Sequence, residues 1–471
     1  MKWWNTAIIY QIYLRSFNND FMGVIDKIPY LKNVLKIDAI WFNPFFPDGN
    51  RDGGYDVKNY YSINPLFGTL NNFKLMSQKL KENDIKIIID IPFSHTSNQH
   101  PWFLDSIARK NNKENWYIWK DKKNIVNNWK SEFEESPWTY NSSRDQYYYH
   151  YYYKEQPALN IQNQYVQNEI YKIINFWHIM GVNGIRLDAI SNYIVDPEFK
   201  PNMHSSYNLE NQLNTKNTIQ FIKNLSNNVK KNISEDLLLI GEQHPYFTRK
   251  EQEQEYLTSL DKIMNFNLAY TNKLDTEIIS NKIINKSKDM ICFINNHDVV
   301  RNRYGENNPL IAKLMATLLL SLNETKIIYY GQEIGMFNGK NYGFDKIGRD
   351  TARSPMQWYN DMSKYKINKK WIPLDDNYKI RNVEDQLENE NSILQWYIKL
   401  IELSKKLQGH IFDLKFDENI LKFKRNGEDN NIYLFILNFS NKEIYNQDCA
   451  LILKPYSSYI ILNESIMLQS I

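Results

Sequence analysis

Eight short apolar, β-branched runs recur along this chain: Ile8–Tyr13, Ala39–Phe42, Ile85–Ile91, Gly184–Leu187, Leu237–Ile240, Ile263–Phe266, Ile291–Ile294 and Ile327–Tyr330. Amphipathic stretches at helical periodicity fill the intervals, among them Asn72–Asn83, Gln164–Met180 and Pro309–Leu322. Strand-like runs alternating with helical ones are the pattern of βα units. Eight of them predict an α/β chain built on a (β/α)₈ barrel, where reactive residues sit at the C-terminal strand ends. With 471 residues, 42% of them hydrophobic, the chain is long enough for one such barrel with attachments.

Three carboxylates stand at those ends. Asp188 follows Gly184-Ile185-Arg186-Leu187, Glu242 follows Leu237-Leu238-Leu239-Ile240-Gly241, and Asp298 closes the run from Met290 through Asn295-Asn296-His297. Burying a charge costs energy unless it is paired, so stability alone gives no reason for these acids. At the same relative place on three strands, they predict one pocket at one end of the sheet. A pair of acids with a third in support is what cleavage of a glycosidic bond requires.

Bulk properties narrow the partners. A net charge of +3 with 24% charged residues gives no electrostatic case for nucleic acid or an anionic membrane. The N-terminus runs straight into a strand-like segment without a leader pattern, and no apolar stretch approaches the ~20 residues of a membrane span. Cys292 and Cys449 lie in different regions and suggest neither a disulfide framework nor a metal site. The expectation is a soluble, cytoplasmic monomer acting on a small molecule.

Two segments fall outside the βα alternation. From Ser97 to Asn160 the chain is polar and aromatic, with Trp116, Trp119, Trp129, Trp138 and the tyrosine-rich run 147–153. Structureless loops of this length are uncommon in a compact domain. The segment reads as an inserted domain over the barrel mouth, its tyrosines alternating faces along a strand with one or two rings toward substrate. After Leu407 short alternating strands follow, Ile420–Lys424, Asn431–Leu437 and Cys449–Leu462, suited to a small β-sandwich. The expected domains are 1–96 with 161–406 for the barrel, 97–160 for the insertion and 407–471 for the C-terminal β domain.

The motifs carry a resemblance. Asp90-Ile91-Pro92-Phe93-Ser94-His95, Gly184-Ile185-Arg186-Leu187-Asp188, Gly241-Glu242 and Asn295-Asn296-His297-Asp298 resemble, in order, the four signature regions of the α-amylase family of glycoside hydrolases, family 13. Gly54-Tyr55-Asp56-Val57, Gln156-Pro157-Ala158-Leu159-Asn160, Gly331-Gln332-Glu333-Ile334-Gly335-Met336 and Arg353-Ser354-Pro355-Met356-Gln357-Trp358 look like its oligo-1,6-glucosidase and α-glucosidase branch.

The resemblance implies a retaining double displacement without a cofactor. Asp188 would be the nucleophile and Glu242 the acid and then base, roughly 5–5.5 Å apart. Asp298 would hold sugar hydroxyls and stabilise the cation-like ring. Arg186 would keep Asp188 ionised through charge-assisted hydrogen bonds. His95 and His297 would grip glucose hydroxyls, and Tyr55 would stack on the sugar. Asp56 would close the pocket with an arginine, Arg349 in preference to Arg353, and Asp90 would act from behind the sugar-contacting residues. A closed pocket implies exo-action on short α-1,6- or α-1,4-linked gluco-oligosaccharides of the isomaltose and maltose type.

Departures from the family pattern also inform. Asn18-Asn19-Asp20-Phe21-Met22-Gly23 is a shortened remnant of a cation-binding loop, and Ser94 stands where the family usually has a calcium-linked Asn; both imply no bound metal. Ala158 replaces the usual Asp of its motif. Ala189, after the nucleophile, leans toward α-1,4 cleavage while the motif set leans toward α-1,6. Trehalose-6-phosphate hydrolases, sucrose isomerases and trehalose synthases share much of the motif set. The same barrel serves as an inactive interaction domain in some transporter heavy chains, but the full acid trio and the lack of a preceding membrane segment separate this chain from them.

Overall fold

The computed structural model describes the whole chain except residues 1, 122–126, 204–208, 271–273, 275, 285–288, 302–304, 306, 366–370, 429, 448–449 and 471. All eight runs are strands, within two residues of the expected ends. Barrel strands β1 (Ile8–Ile12), β2 (Ala39–Phe42), β3 (Lys86–Ile91), β4 (Gly184–Leu187), β5 (Leu238–Gly241), β6 (Lys262–Asn265), β7 (Met290–Cys292) and β8 (Lys326–Tyr329) close in sequential order. Apart from the first residue of β3 they are buried throughout. Parallel strands covered on both faces require that pattern, which is why they read as continuous apolar runs.

Sequence signals also set the helix ends. Thr69 starts helix Leu70–Glu82 with a capping box shared with Asn72, and Asn163 caps Gln164–Ile179. Asn308 caps Pro309–Ser321, whose first residue is a proline. Among the described residues no helix is long and apolar enough to cross a membrane.

The chain divides into two compact units, residues 1–19, 23–40 and 265–471 in the first and residues 20–22 and 41–264 in the second. In the second unit, parallel pairing sets Asp90 beside Arg186 and Leu187 beside Gly241, so Asp188 and Glu242 leave adjacent strands at the same level. Leu260 and Ile190 pack onto Gly241, where a Cβ would lie 2.6 Å from one terminal methyl and 2.7 Å from the other.

The inserted segment, also in this unit, forms a three-stranded antiparallel sheet with Gln146–Tyr149 between Trp119–Asp121 and Trp138–Asn141. The tyrosine run is therefore a strand only as far as Tyr149. Tyr149 and Tyr151 pack with Trp129, Trp138, Ala158, Val195, Leu209 and Leu213 in one aromatic core. Ala158 lies inside that core, where the family's Asp would be a charge among rings.

In the first unit β1 pairs with β8 and β7 with β8. Its C-terminal part is a five-stranded antiparallel meander, Leu407–Asp417, Ile420–Gly427, Ile432–Asn438, Ser458–Leu462 and Ser465–Ser470. A ribbon of Ile444–Asn446 and Leu451–Leu453 packs on the sheet through Leu453, Ile420, Ile436, Tyr459 and Ile461. The expected strand 449–462 is thus two strands in two sheets. Pro455 has no N–H for a ladder, and Tyr456 takes φ 48°, so the chain turns there. Cys449 lies outside the described residues.

Candidate active site

In the second unit the C-terminal ends of β3, β4 and β5 converge on one guanidinium. Arg186, 1% exposed, donates through Nη1 to Asp188 Oδ1 and, at 2.6 Å, to Asp90 Oδ1. Its Nη2 lies 2.5 Å from Glu242 Oε2. Trp41 backs the guanidinium at 5.5 Å. One cation thus serves three carboxylates. Burial and then the surrounding acids push Asp90 well above the usual carboxylate range, although Arg186 opposes them. Burial disfavours the charged Arg186, but Asp90, Glu242 and Asp188 together hold it protonated.

Asp90 receives a hydrogen bond from the Tyr55 hydroxyl at 2.9 Å, and that hydroxyl accepts one from Asn43 at 2.9 Å. Its two oxygens face Arg186 and Tyr55. Ala189 adopts the left-handed conformation at φ 49° and donates its backbone N–H to Glu242 Oε2 at 3.1 Å. Such geometry is uncommon for a residue with a Cβ and marks a position held by its surroundings.

His95 is anchored at both ring nitrogens. Ser94 Oγ lies 2.8 Å from Nδ1, while the Tyr55 carbonyl and Gln156 Nε2 lie 3.1 and 3.0 Å from Nε2. Burial lowers its pKa to about 4, so the ring is neutral at physiological pH. Ser94, the departure from the family's Asn, therefore orients this histidine. Asp56 is fully buried; its Oδ1 accepts from the Arg51 and Asp52 amides at 3.2 and 3.3 Å. Its Oδ2 has no hydrogen bond. Burial, then Asp48 and Asp52, raise its pKa to about 7. Gly49 makes this packing possible, since a Cβ there would lie 2.3 Å from Asp56 Oδ2.

The first unit carries the complementary cluster. Strand β7 ends at Cys292, so Asp298 is not a strand end but lies on a turn in which Asn296 Oδ1 accepts the Asp298 and Val299 amides at 2.9 and 3.0 Å. Asp298 Oδ1 accepts from Arg349 Nη1 and from Arg353 Nη2, each at 3.0 Å. Its Oδ2 meets His297 Nε2 at 3.0 Å, and Gln11 donates to Nδ1 of that ring at 2.9 Å, which fixes Nε2 as the protonated nitrogen. Burial alone would raise the Asp298 pKa, but His297, Arg349 and Arg353 hold it well below the usual range. Asp345 steadies Arg349, accepting from Nη2 at 2.8 Å and Nε at 3.1 Å. Both arginines considered as partners of Asp56 thus bind Asp298.

Sequence reasoning missed three contributors. Tyr152 stands edge-on to His95 with centroids 5.4 Å apart, and burial and then Asp188 are the main reasons its hydroxyl stays protonated. The tyrosine run was visible, but no local rule says which ring turns inward once the strand ends. Tyr193 is buried with its hydroxyl under the same Asp188 influence. The Ala189 amide needs a backbone angle that composition does not reveal.

These two clusters, at the ends of barrel strands and on the loops beyond them, belong to a known class of carbohydrate-cleaving enzyme. The alpha amylase catalytic-domain family matches residues 11–411. The chain belongs to the α-amylase family of glycoside hydrolases, in its oligo-1,6-glucosidase branch. It is 32% identical to an oligo-1,6-glucosidase of Parageobacillus thermoglucosidasius, over 93% of this chain and 91% of that one. Identity to the trehalose-6-phosphate hydrolase of Escherichia coli (strain K12) is 31%, over 86% and 84%. The isomaltulose synthase of Klebsiella sp. LX3 superposes with a TM-score of 0.88 at 27% identity, covering 98% of this chain and 99% of that structure.

Proposed function

We propose that the enzyme is a retaining, exo-acting α-glucosidase that hydrolyses α-1,6 or α-1,4 bonds of short gluco-oligosaccharides. The observation that carries the reading is the single guanidinium of Arg186 in contact with both Asp188 and Glu242. Two carboxylates sharing one cation favour the short separation of a retaining pair. Asp188 attacks the anomeric carbon while Glu242 protonates the leaving oxygen. Glu242 then takes a proton from water, which releases the glucosyl group from Asp188 with its configuration retained. Asp298, kept ionised by its arginines, binds hydroxyls and stabilises the cation-like ring. His95, as a neutral ring, and His297 grip hydroxyls, and Tyr55 stacks on the sugar. Asp56, with Arg349 as the arginine assigned to it, closes the pocket, and no metal takes part. The working arrangement is a cytoplasmic monomer with domains 1–96 plus 161–406, 97–160 and 407–471.

Glucose release from isomaltose, maltose, sucrose, trehalose and trehalose 6-phosphate, measured side by side, tests the reading. Turnover of isomaltose or maltose with α-glucose as the first anomer upholds it. Exclusive turnover of the phosphorylated sugar makes the enzyme a trehalose-6-phosphate hydrolase, and rearranged sucrose makes it an isomerase. First release of β-glucose would overturn the double displacement.

A further inference from the structure

The second unit holds a cavity of about 280 Å³ between the inserted segment and the stretch after β4; Tyr193 lines it, but none of the residues proposed to bind or cleave the sugar does. Among the described residues Arg144 is the only charged one that lines it. Arg144 is 9% exposed, and no carboxylate among the described residues lies within ion-pair distance. Nε donates to Gln146 Oε1 at 2.6 Å, and Nη1 donates to the Ser106 carbonyl and lies 3.4 Å from Ser106 Oγ. The guanidinium plane rests 4.3 Å from the Trp119 ring. Among the described residues Nη2 makes no hydrogen bond. The charges acting on it are a second cation, Arg109, and one acid, Glu114. A guanidinium held by neutral acceptors is under-compensated, and its Nη2 remains to donate charge-assisted hydrogen bonds to phosphate oxygens.

Two further observations belong to the same cavity. The side-chain amides of Asn115, Asn160 and Gln162 line it. Asn160 and Gln162 each commit one amide hydrogen, to the Asn115 carbonyl at 3.1 Å and the Val195 carbonyl at 3.3 Å, and keep a second donor. Opposite them Phe199 is held at φ 57°, a region bulky side chains rarely adopt, between Trp129 and Trp138 with Lys120 Nζ 4.0 Å above its ring. Strain of this kind persists where packing over-determines it, and it concentrates at ligand-binding positions. Size separates this place from Arg301, also buried on carbonyl partners, where the adjoining cavity is about 20 Å³ and has room for a water at most.

We propose that this cavity binds a phosphorylated small molecule, with the two Nη2 hydrogens of Arg144 on the phosphate and the Asn160 and Gln162 amides on the polar remainder. Inorganic phosphate and a sugar phosphate offer the same anionic group, and calorimetric titration of the full chain separates them. Inorganic phosphate, glucose 6-phosphate and neutral glucose serve as probes, in buffer free of other phosphate. The phosphate-bearing probes are expected to bind one equivalent that saturating glucose, which fills the hydrolytic site, does not displace. Arg144→Gln should weaken that binding at least tenfold. Equal affinity for both probes assigns the site to the free anion, and tighter binding of glucose 6-phosphate assigns it to the phosphorylated sugar; either upholds the phosphate site. Should Arg144→Gln fail to fold, hydrogen exchange of the wild type decides, with slowing at residues 115–119 and 144–146 on adding phosphate. No saturable binding, no such slowing, or binding unchanged in a folded Arg144→Gln chain overturns the proposal.

Discussion

The two clusters invert each other's charge. In the second unit one guanidinium, Arg186, stands among Asp90, Asp188 and Glu242; in the first unit one carboxylate, Asp298, stands among Arg349, Arg353 and His297. The first arrangement has surplus negative charge, so a proton is easily retained, and Asp90 is pushed upward. In the second, two guanidiniums and the His297 ring face the one carboxylate of Asp298, which is driven downward. Burial acts in the same direction on both acids, so the difference comes from the charges and hydrogen bonds around each. A retaining glycosidase needs both kinds of place: one that hands a proton back and forth, and one that keeps a permanent negative charge near a developing cation.

Breaking either cluster sharpens the contrast. The largest effect belongs to Asp188→Asn or Glu242→Gln, expected to cut kcat by roughly 10⁴-fold or more while the thermal midpoint stays near wild type. A variant retaining near-wild-type turnover removes that residue from the mechanism. Arg186→Met leaves three buried carboxylates without their cation and should destabilise the fold by about 3–5 kcal/mol in denaturant titration, besides abolishing activity. An undisturbed midpoint would mean that the acids neutralise each other without help.

On the other side, Asp298 loses only one of two cations in Arg349→Ala or Arg353→Ala. Each should lower kcat/KM by about 10²-fold, or about 2.7 kcal/mol. The double variant should fall below the product of the two, because each arginine covers for the other. Additive losses would show that they act separately.

Asp56 gives a smaller, pH-dependent effect. Its folded pKa of about 7 lies above the ordinary 3.8, so the folded state binds the extra proton between those values. Its stabilising contribution is full below about pH 4 and is lost as pH rises through 7. The thermal midpoint of wild type should therefore drop by a few degrees more between pH 5 and pH 8 than that of Asp56→Asn. Equal drops would assign the pH sensitivity elsewhere. The least effect is expected at His95, neutral above about pH 4, which should add no inflection to the activity profile between pH 5 and 8.

The sequence by itself determined the barrel and marked its candidate acids. Each strand is short, buried on both faces and bounded by polar residues, so its identity is encoded locally in runs such as Leu237–Ile240. Asp188 and Glu242 sit one residue past their strands, and the motifs around them are contiguous. Asp298 was legible only as a residue type: its strand ends six residues earlier, and a turn closed by Asn296 delivers it.

Tertiary structure alone decided the rest. Placing Arg186 on three acids at once needs the register of β3 against β4 and of β4 against β5, contacts 50 residues or more apart in sequence. Which tyrosine of 147–153 turns toward the carboxylates depends on where the inserted sheet stops, and the split of 449–462 depends on a proline between two sheets. Periodicity specifies which face of an element is apolar, but long-range pairing chooses what that face meets, and the partners decide the charge each side chain keeps.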